Sequence, residues 1–239
     1  MGSTSCREYT RLAGWADAER GLRLLFRALV VECVVLGGAV LLVVVGFIVD
    51  SRGLVSWVTG AGSVAVLLML GFALARYRRV APETGARGPA TAAFGAAMVT
   101  LALFVAGAAL GLEGPAETAL HLVFAMAEPG ILPVASTAAL LITLALQLQS
   151  MRRLARFLER GDVLAMSGTT RGALVTVAVV FGILQMALSN GGSDARAWGA
   201  LIGLTYLGVI IWLLVYYLLT VHTLLCAFGQ QVAVARAFD

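Results

Sequence analysis

A chain of 239 residues that is 60% apolar and 13% charged is too hydrophobic for a soluble domain, whose apolar share lies near ~45 to 50%. Its seventeen basic side chains, all arginine, exceed thirteen acidic ones for a net charge of +4. Without lysine there is no phosphate-loop lysine, no Schiff base and no lysine-activated nucleophile.

Spanning a hydrocarbon core of about 30 Å takes roughly 20 helical residues. Six stretches of that order lie between charges: Arg27 to Asp50, interrupted only by Glu32, then Arg52 to Arg76, Arg87 to Glu113, Glu128 to Arg152, Arg171 to Asp194 and Arg196 to Arg236. The expected fold is therefore all-α, a polytopic integral membrane protein. Six transmembrane helices form three antiparallel hairpins, with spans near 29–49, 54–75, 90–111, 131–150, 172–189 and 198–222.

In chain order, residues 1–28 read as a cytoplasmic amphipathic segment. Ser5 and Glu8 have the spacing of a capping box, in which hydroxyl and carboxylate satisfy free amides at a helix start. Arginines alternate there with Leu12, Trp15, Leu22, Leu25 and Phe26, which suits a helix in the headgroup layer that bends at Gly14 and Gly21 into the first span. Asp50 to Gly53 is a short outer turn, with Trp57 as an interfacial anchor. Arg76, Tyr77, Arg78 and Arg79 end the second span, and Pro82 and Pro89 break the chain before the third.

Between Gly111 and Pro133 lies the longest outer connection. Pro115 is placed to open a helix there and Pro129-Gly130 to close it. About 13 residues give only ~20 Å, so the element is expected to be interfacial or re-entrant. After the fourth span the helix continues over Met151 to Arg160 with Gly161 as its C-cap. Ser167 and Ser193 fall in expected loops. Residues 228–239 form a cytoplasmic tail.

The arginines orient this bundle. All but Arg52 and Arg196 fall in the N-terminal segment, the second-to-third connection, the fourth-to-fifth connection or the tail, while the opposite loops are acidic. Basic loops stay on the cytoplasmic side, so both termini are expected to be cytoplasmic, in a bacterial inner membrane. Cys6, Cys33 and Cys226 then lie near the inner leaflet, reduced, at spacings that fit neither a disulfide nor a zinc framework.

Few residues suggest chemistry. Glu117, His121 and Glu128 fall within about 40° of one another on a continuous helix and have the donor types for a divalent cation. The same positions also suit helix capping and a Phe124 stripe, which is the commoner use, and no cofactor is expected. Glu32 is the ionisable residue inside the first span, placed to pair with an arginine near the inner leaflet. Ser136, Thr143 and Gln147 on span four, Gln185 on span five, and Thr205, Tyr216 and Thr220 on span six form polar stripes. They either line a path or hold helices together, and interhelical hydrogen bonding is the commoner use. Three Gly-x-x-x-Gly pairs, at Gly107, Gly168 and Gly199, match the number chance gives for 27 glycines. Arg76, Arg78, Arg79, Arg152, Arg153 and Arg156 are positioned to attract anionic lipid.

The expected function is a non-catalytic membrane component, a scaffold or a subunit of a larger complex. Its partners are the lipid bilayer, anionic lipids and another membrane protein or a second copy, without nucleic acid. The alternatives are transport, as a permease for a small or lipid-like solute, and an intramembrane enzyme using Glu32, His222 and Cys226.

Overall fold

A computed structural model describes residues 3–46, 52–109, 131–189 and 195–237. Among these there are six α-helices, one 3-10 turn and no strand: α1 (Ser3–Gly46), α2 (Arg52–Tyr77), α3 (Arg87–Ala109), α4 (Ile131–Phe157), α5 (Gly161–Ser189) and α6 (Ala195–Ala237), with the 3-10 turn Pro82–Thr84 joining α2 to α3. Four stretches, Arg87–Ala106, Val134–Phe157, Gly161–Met186 and Thr205–Gly229, are long and apolar enough to cross a membrane, which fits an integral membrane protein. The described apolar part of α2, Val64–Tyr77, is shorter. The expected outer helix, with Glu117, His121 and Glu128, lies outside the described residues, as do Asp50 and Ser193.

Each helix packs most extensively on a chain neighbour: α1 on α2, α3 on α4, and α5 on α6. Further contacts of α2 with α3, α4 with α5, and α6 with α1 close the six into a ring. The larger core sits where the arginine-bearing ends meet. Leu22, Leu25 and Leu29 of α1, Leu74 and Tyr77 of α2, Met151 and Leu154 of α4, and Val221, Leu224 and Phe228 of α6 are buried together. A smaller core between α5 and α6 holds Val177, Phe181, Leu184, Tyr206 and Leu213.

α1 is one continuous helix of 44 residues, or about 66 Å at 1.5 Å per residue, unbroken at Gly14 and Gly21. Those two glycines are points of close approach. A β-carbon on Gly14 would stand 3.1 Å from the Arg79 carbonyl oxygen, and one on Gly21 would stand 2.6 Å from the Tyr77 nitrogen. They let α1 lie against the C-terminal end of α2, with Ala18, Leu22 and Leu25 filling the seam. At the far end Gly62 of α2 admits Val35, whose methyl carbons would stand 2.8 Å from an added β-carbon.

Other local expectations shift for equally local reasons. Pro89 lies in the first turn of α3 and does not precede the helix, because the missing amide hydrogen of a first-turn proline was never going to be bonded. Ser167 is inside α5, fully buried, its hydroxyl donating to the Leu164 carbonyl at 2.8 Å. Residues 228–237, within the expected tail, are a helical continuation of α6.

The end of α4 falls before Gly161. Glu159 adopts the left-handed conformation, φ 54°, while the Glu159 amide donates to the Arg156 carbonyl at 3.2 Å and the Arg160 amide to the Ala155 carbonyl at 2.9 Å. That pair of bonds is a Schellman closure with glutamate at the position glycine usually takes. A β-carbon is disfavoured there, so Glu159→Gly is expected to raise stability by about 0.5 to 1 kcal/mol. Denaturant unfolding in detergent checks it, and a lower midpoint would show that the Glu159 side chain contributes more than its backbone costs.

Candidate functional site: a buried polar seam and an arginine-lined pocket

Ser136, Thr143 and Gln147 of α4 and Thr220 of α6 are buried, but they do not form one set. On α4, Ser136, Thr143 and Gln147 are buried at successive turns. Thr143 donates back to the Ala139 carbonyl of its own helix at 2.8 Å. On α6 the Thr220 hydroxyl donates to the Tyr216 carbonyl at 2.8 Å and meets the Thr170 hydroxyl of α5 at 2.9 Å. Thr170 was not among the sequence candidates. It stands on α5, and only the α5–α6 packing brings it to Thr220. No hydrogen bond among the described residues joins Thr143 or Gln147 to Tyr216 or Thr220. Thr205 is exposed and Gln185 half-buried, and neither lies within that seam.

A second polar tie fixes the inner loop. Ser150 of α4 donates to the Ala86 carbonyl at 2.8 Å and lies 3.3 Å from the Tyr77 hydroxyl. Arg153 donates to the Gly85 carbonyl at 3.0 Å. Gly85 itself is left-handed, φ 64°, closing the 3-10 turn. Inside the turn, Thr84 donates to the Ala81 carbonyl at 2.7 Å and accepts from the Ala86 amide at 3.1 Å. Together these bonds satisfy a connection that would otherwise carry free backbone groups against the core.

Gln147 is the exception. Its side chain is fully buried, and neither its Oε1 nor its Nε2 has a hydrogen-bond partner among the described residues. Tyr217 of α6, 2% exposed, has an unpartnered hydroxyl as well.

Of the three residues of the enzyme reading, two come together. His222 and Cys226 lie one turn apart on α6, with Nε2 and Sγ in a long hydrogen bond of 3.8 Å. The His222 ring stacks on Phe26 of α1 at 5.5 Å. Glu32 is half-buried further along α1, and no ion pair reaches it among the described residues. Within the same residues no group of three histidines, cysteines or carboxylates is placed to hold a metal ion.

The six arginines proposed for lipid divide into two groups. Arg79 pairs with Asp17 of α1 at 2.9 Å, Arg78 lies 4.5 Å over the Phe94 ring, and Arg76 is exposed. The other three share a pocket of about 450 Å³ between α4 and α5, where Arg152, Arg153 and Arg156 meet Arg171, with Leu148 and Leu174 also in its wall. On α4 the pocket residues Leu148, Gln149, Arg152, Arg153 and Arg156 follow the three-and-four spacing of one helix face. Arg171 comes from the other helix, which spacing along α4 does not reveal.

Comparison of the chain with protein-family models, with curated proteins and with solved structures gives no match.

Proposed function

We propose that this chain is a non-catalytic membrane component, a scaffold or a subunit of a larger membrane complex. In this reading it crosses a bacterial inner membrane six times as three antiparallel hairpins, with both termini cytoplasmic. The observation that carries it is the use made of buried polarity. Thr143 and Thr220 return their hydrogen bonds to their own helices, and Thr170 with Thr220 ties α5 to α6. Polar side chains spent on the seams between helices hold a bundle together. The arginine distribution supports the orientation, since basic residues crowd the connections α2–α3 and α4–α5.

Extraction in mild detergent followed by native mass spectrometry tests the reading. A mass above the 24.9 kDa of one chain, with a second membrane polypeptide or a second copy in fixed ratio, is the expected result. A monomer in every mild detergent contradicts it.

One observation favours the alternative, a permease for a small or lipid-like solute. Gln147 holds a buried amide with both polar atoms unpartnered, which is what a solute contact inside a bundle requires between transport events.

A further inference from the structure

We infer that the pocket between α4 and α5 is a binding site for a phosphate-bearing anion, held by Arg152, Arg153, Arg156 and Arg171. This does not rest on the choice between subunit and permease. Topology requires arginines on the inner side of the bundle, but it does not require four of them to converge on one cavity.

Elsewhere in the described residues the arginines are mostly answered. Arg23 pairs with Glu19 at 2.6 Å, Arg79 with Asp17 at 2.9 Å and Arg160 with Asp162 at 2.7 Å, and Arg78 stacks on Phe94. The pocket arginines have no carboxylate partner among the described residues. Arg153 spends one nitrogen on the Gly85 carbonyl, which anchors it without neutralising it. Arg152 goes further: its Nε is shielded from solvent and has no acceptor among the described residues. A desolvated guanidinium donor facing three more cations is unfavourable unless an anion completes it.

The chemistry of the lining selects the anion. Guanidinium groups present forked donors that match the oxygens of a phosphate two at a time, and several of them together favour a multiply charged group over a single carboxylate. Leu148, Leu174 and Ala145 complete the wall, so the cavity is part cationic and part apolar. A volume of about 450 Å³ exceeds what a bare phosphate fills and falls within the usual range for small-molecule sites. Basic pockets between membrane helices on the cytoplasmic side are where phospholipid headgroups are held. The shared chemistry is the phosphate, and its source is either a lipid headgroup or a free phosphate compound.

The test uses the full chain, purified and placed in phosphatidylcholine nanodiscs. Phosphatidylglycerol is supplied in one arm and inorganic phosphate and pyrophosphate in the other. Bound lipid is read by native mass spectrometry and bound phosphate by calorimetry. R171Q is expected to weaken binding about fivefold and the R152Q, R171Q pair about thirtyfold, at about 1 kcal/mol per arginine. R87Q, which removes an exposed arginine outside the pocket, should leave binding unchanged. If the double variant fails to fold, A145E serves instead, because it places a carboxylate on the pocket wall with every arginine retained and should abolish binding. Loss confined to phosphatidylglycerol identifies a lipid headgroup, and loss confined to the soluble phosphates identifies a free ligand. Equal loss in pocket and outside variants, indifference to all of them, or binding of neither probe overturns the inference.

Discussion

Gly21→Ala is expected to lower the stability of the protein by about 2 to 3 kcal/mol, against the intrinsic preference of the helix. In an open helical position the same substitution stabilises by roughly 0.5 to 1 kcal/mol, because alanine restricts the unfolded chain and suits the helix better than glycine. At Gly21 sterics decide. The new carbon would lie 2.6 Å from the Tyr77 nitrogen, 2.9 Å from the Tyr77 Cα and 2.9 Å from the Ala73 carbonyl oxygen. All three are backbone atoms of α2, so no rotamer can relieve the contact, and the helices must part by roughly 1 Å to restore ordinary packing distances. Parting them loosens Leu22, Leu25, Leu74 and Tyr77, which are buried in the same core. Gly37 of the same helix supplies the control, since a β-carbon there meets nothing within 4 Å, and Gly37→Ala should be stabilising. Opposite signs at the two positions, read from unfolding midpoints in detergent, are the expected outcome. A stabilising Gly21→Ala would mean that α1 and α2 do not cross this closely.

Gln147→Leu is expected to raise stability by about 1 to 3 kcal/mol. A buried amide that makes no hydrogen bonds has lost its water without replacement, and a leucine of comparable bulk, though one bond shorter, removes the penalty. The same unfolding measurement checks it, and a lowered midpoint would show that the amide is bonded in the folded protein. The variant also separates the two functional readings. If the chain is a structural component, a more stable Gln147→Leu protein assembles as before. If it is a permease with Gln147 on its path, stability rises while reconstituted flux of the solute falls. Tyr217→Phe makes a milder companion, because its hydroxyl is likewise buried without a partner among the described residues.

The helical membrane class was legible in the sequence because it depends on the lengths of apolar runs and the placement of charges, both of which act along the chain. The arginines of α4 were legible as one helix face for the same reason. What escaped depends on partners distant in sequence. Glycine lacks a β-carbon whether it serves a bend or a close approach, so Gly14 and Gly21 read as bends until Tyr77 and Arg79 stood beside them. The pairing of Thr170 with Thr220, and of Arg171 with the α4 arginines, requires knowing how α5 lies against its neighbours. The Gly168 and Gly172 pair shows the reverse: its spacing is that of a packing motif, yet neither glycine meets anything within 4 Å of an added β-carbon. Helix C-caps are misread for a local reason. The left-handed residue is chosen by where the last turn closes, and Glu159 accepted that conformation although Gly161 stood two residues away.

Closure of the ring has a consequence for biosynthesis. α1 meets helices made long after it: Trp15 stacks 5.0 Å from Phe228 of α6 and 6.0 Å from Phe157 of α4, and Phe26 on His222 of α6. Helices emerge from the ribosome in order, so α1 and α2 must wait, partly uncovered, while the chain from α3 to α6 is synthesised. During that interval Trp15, Leu22 and Leu25 lack the α6 side of their packing. An arrest of translation before α6 would therefore leave an open chain of helices whose unfilled seam lies at the arginine-bearing end, its apolar side chains without their α6 partners.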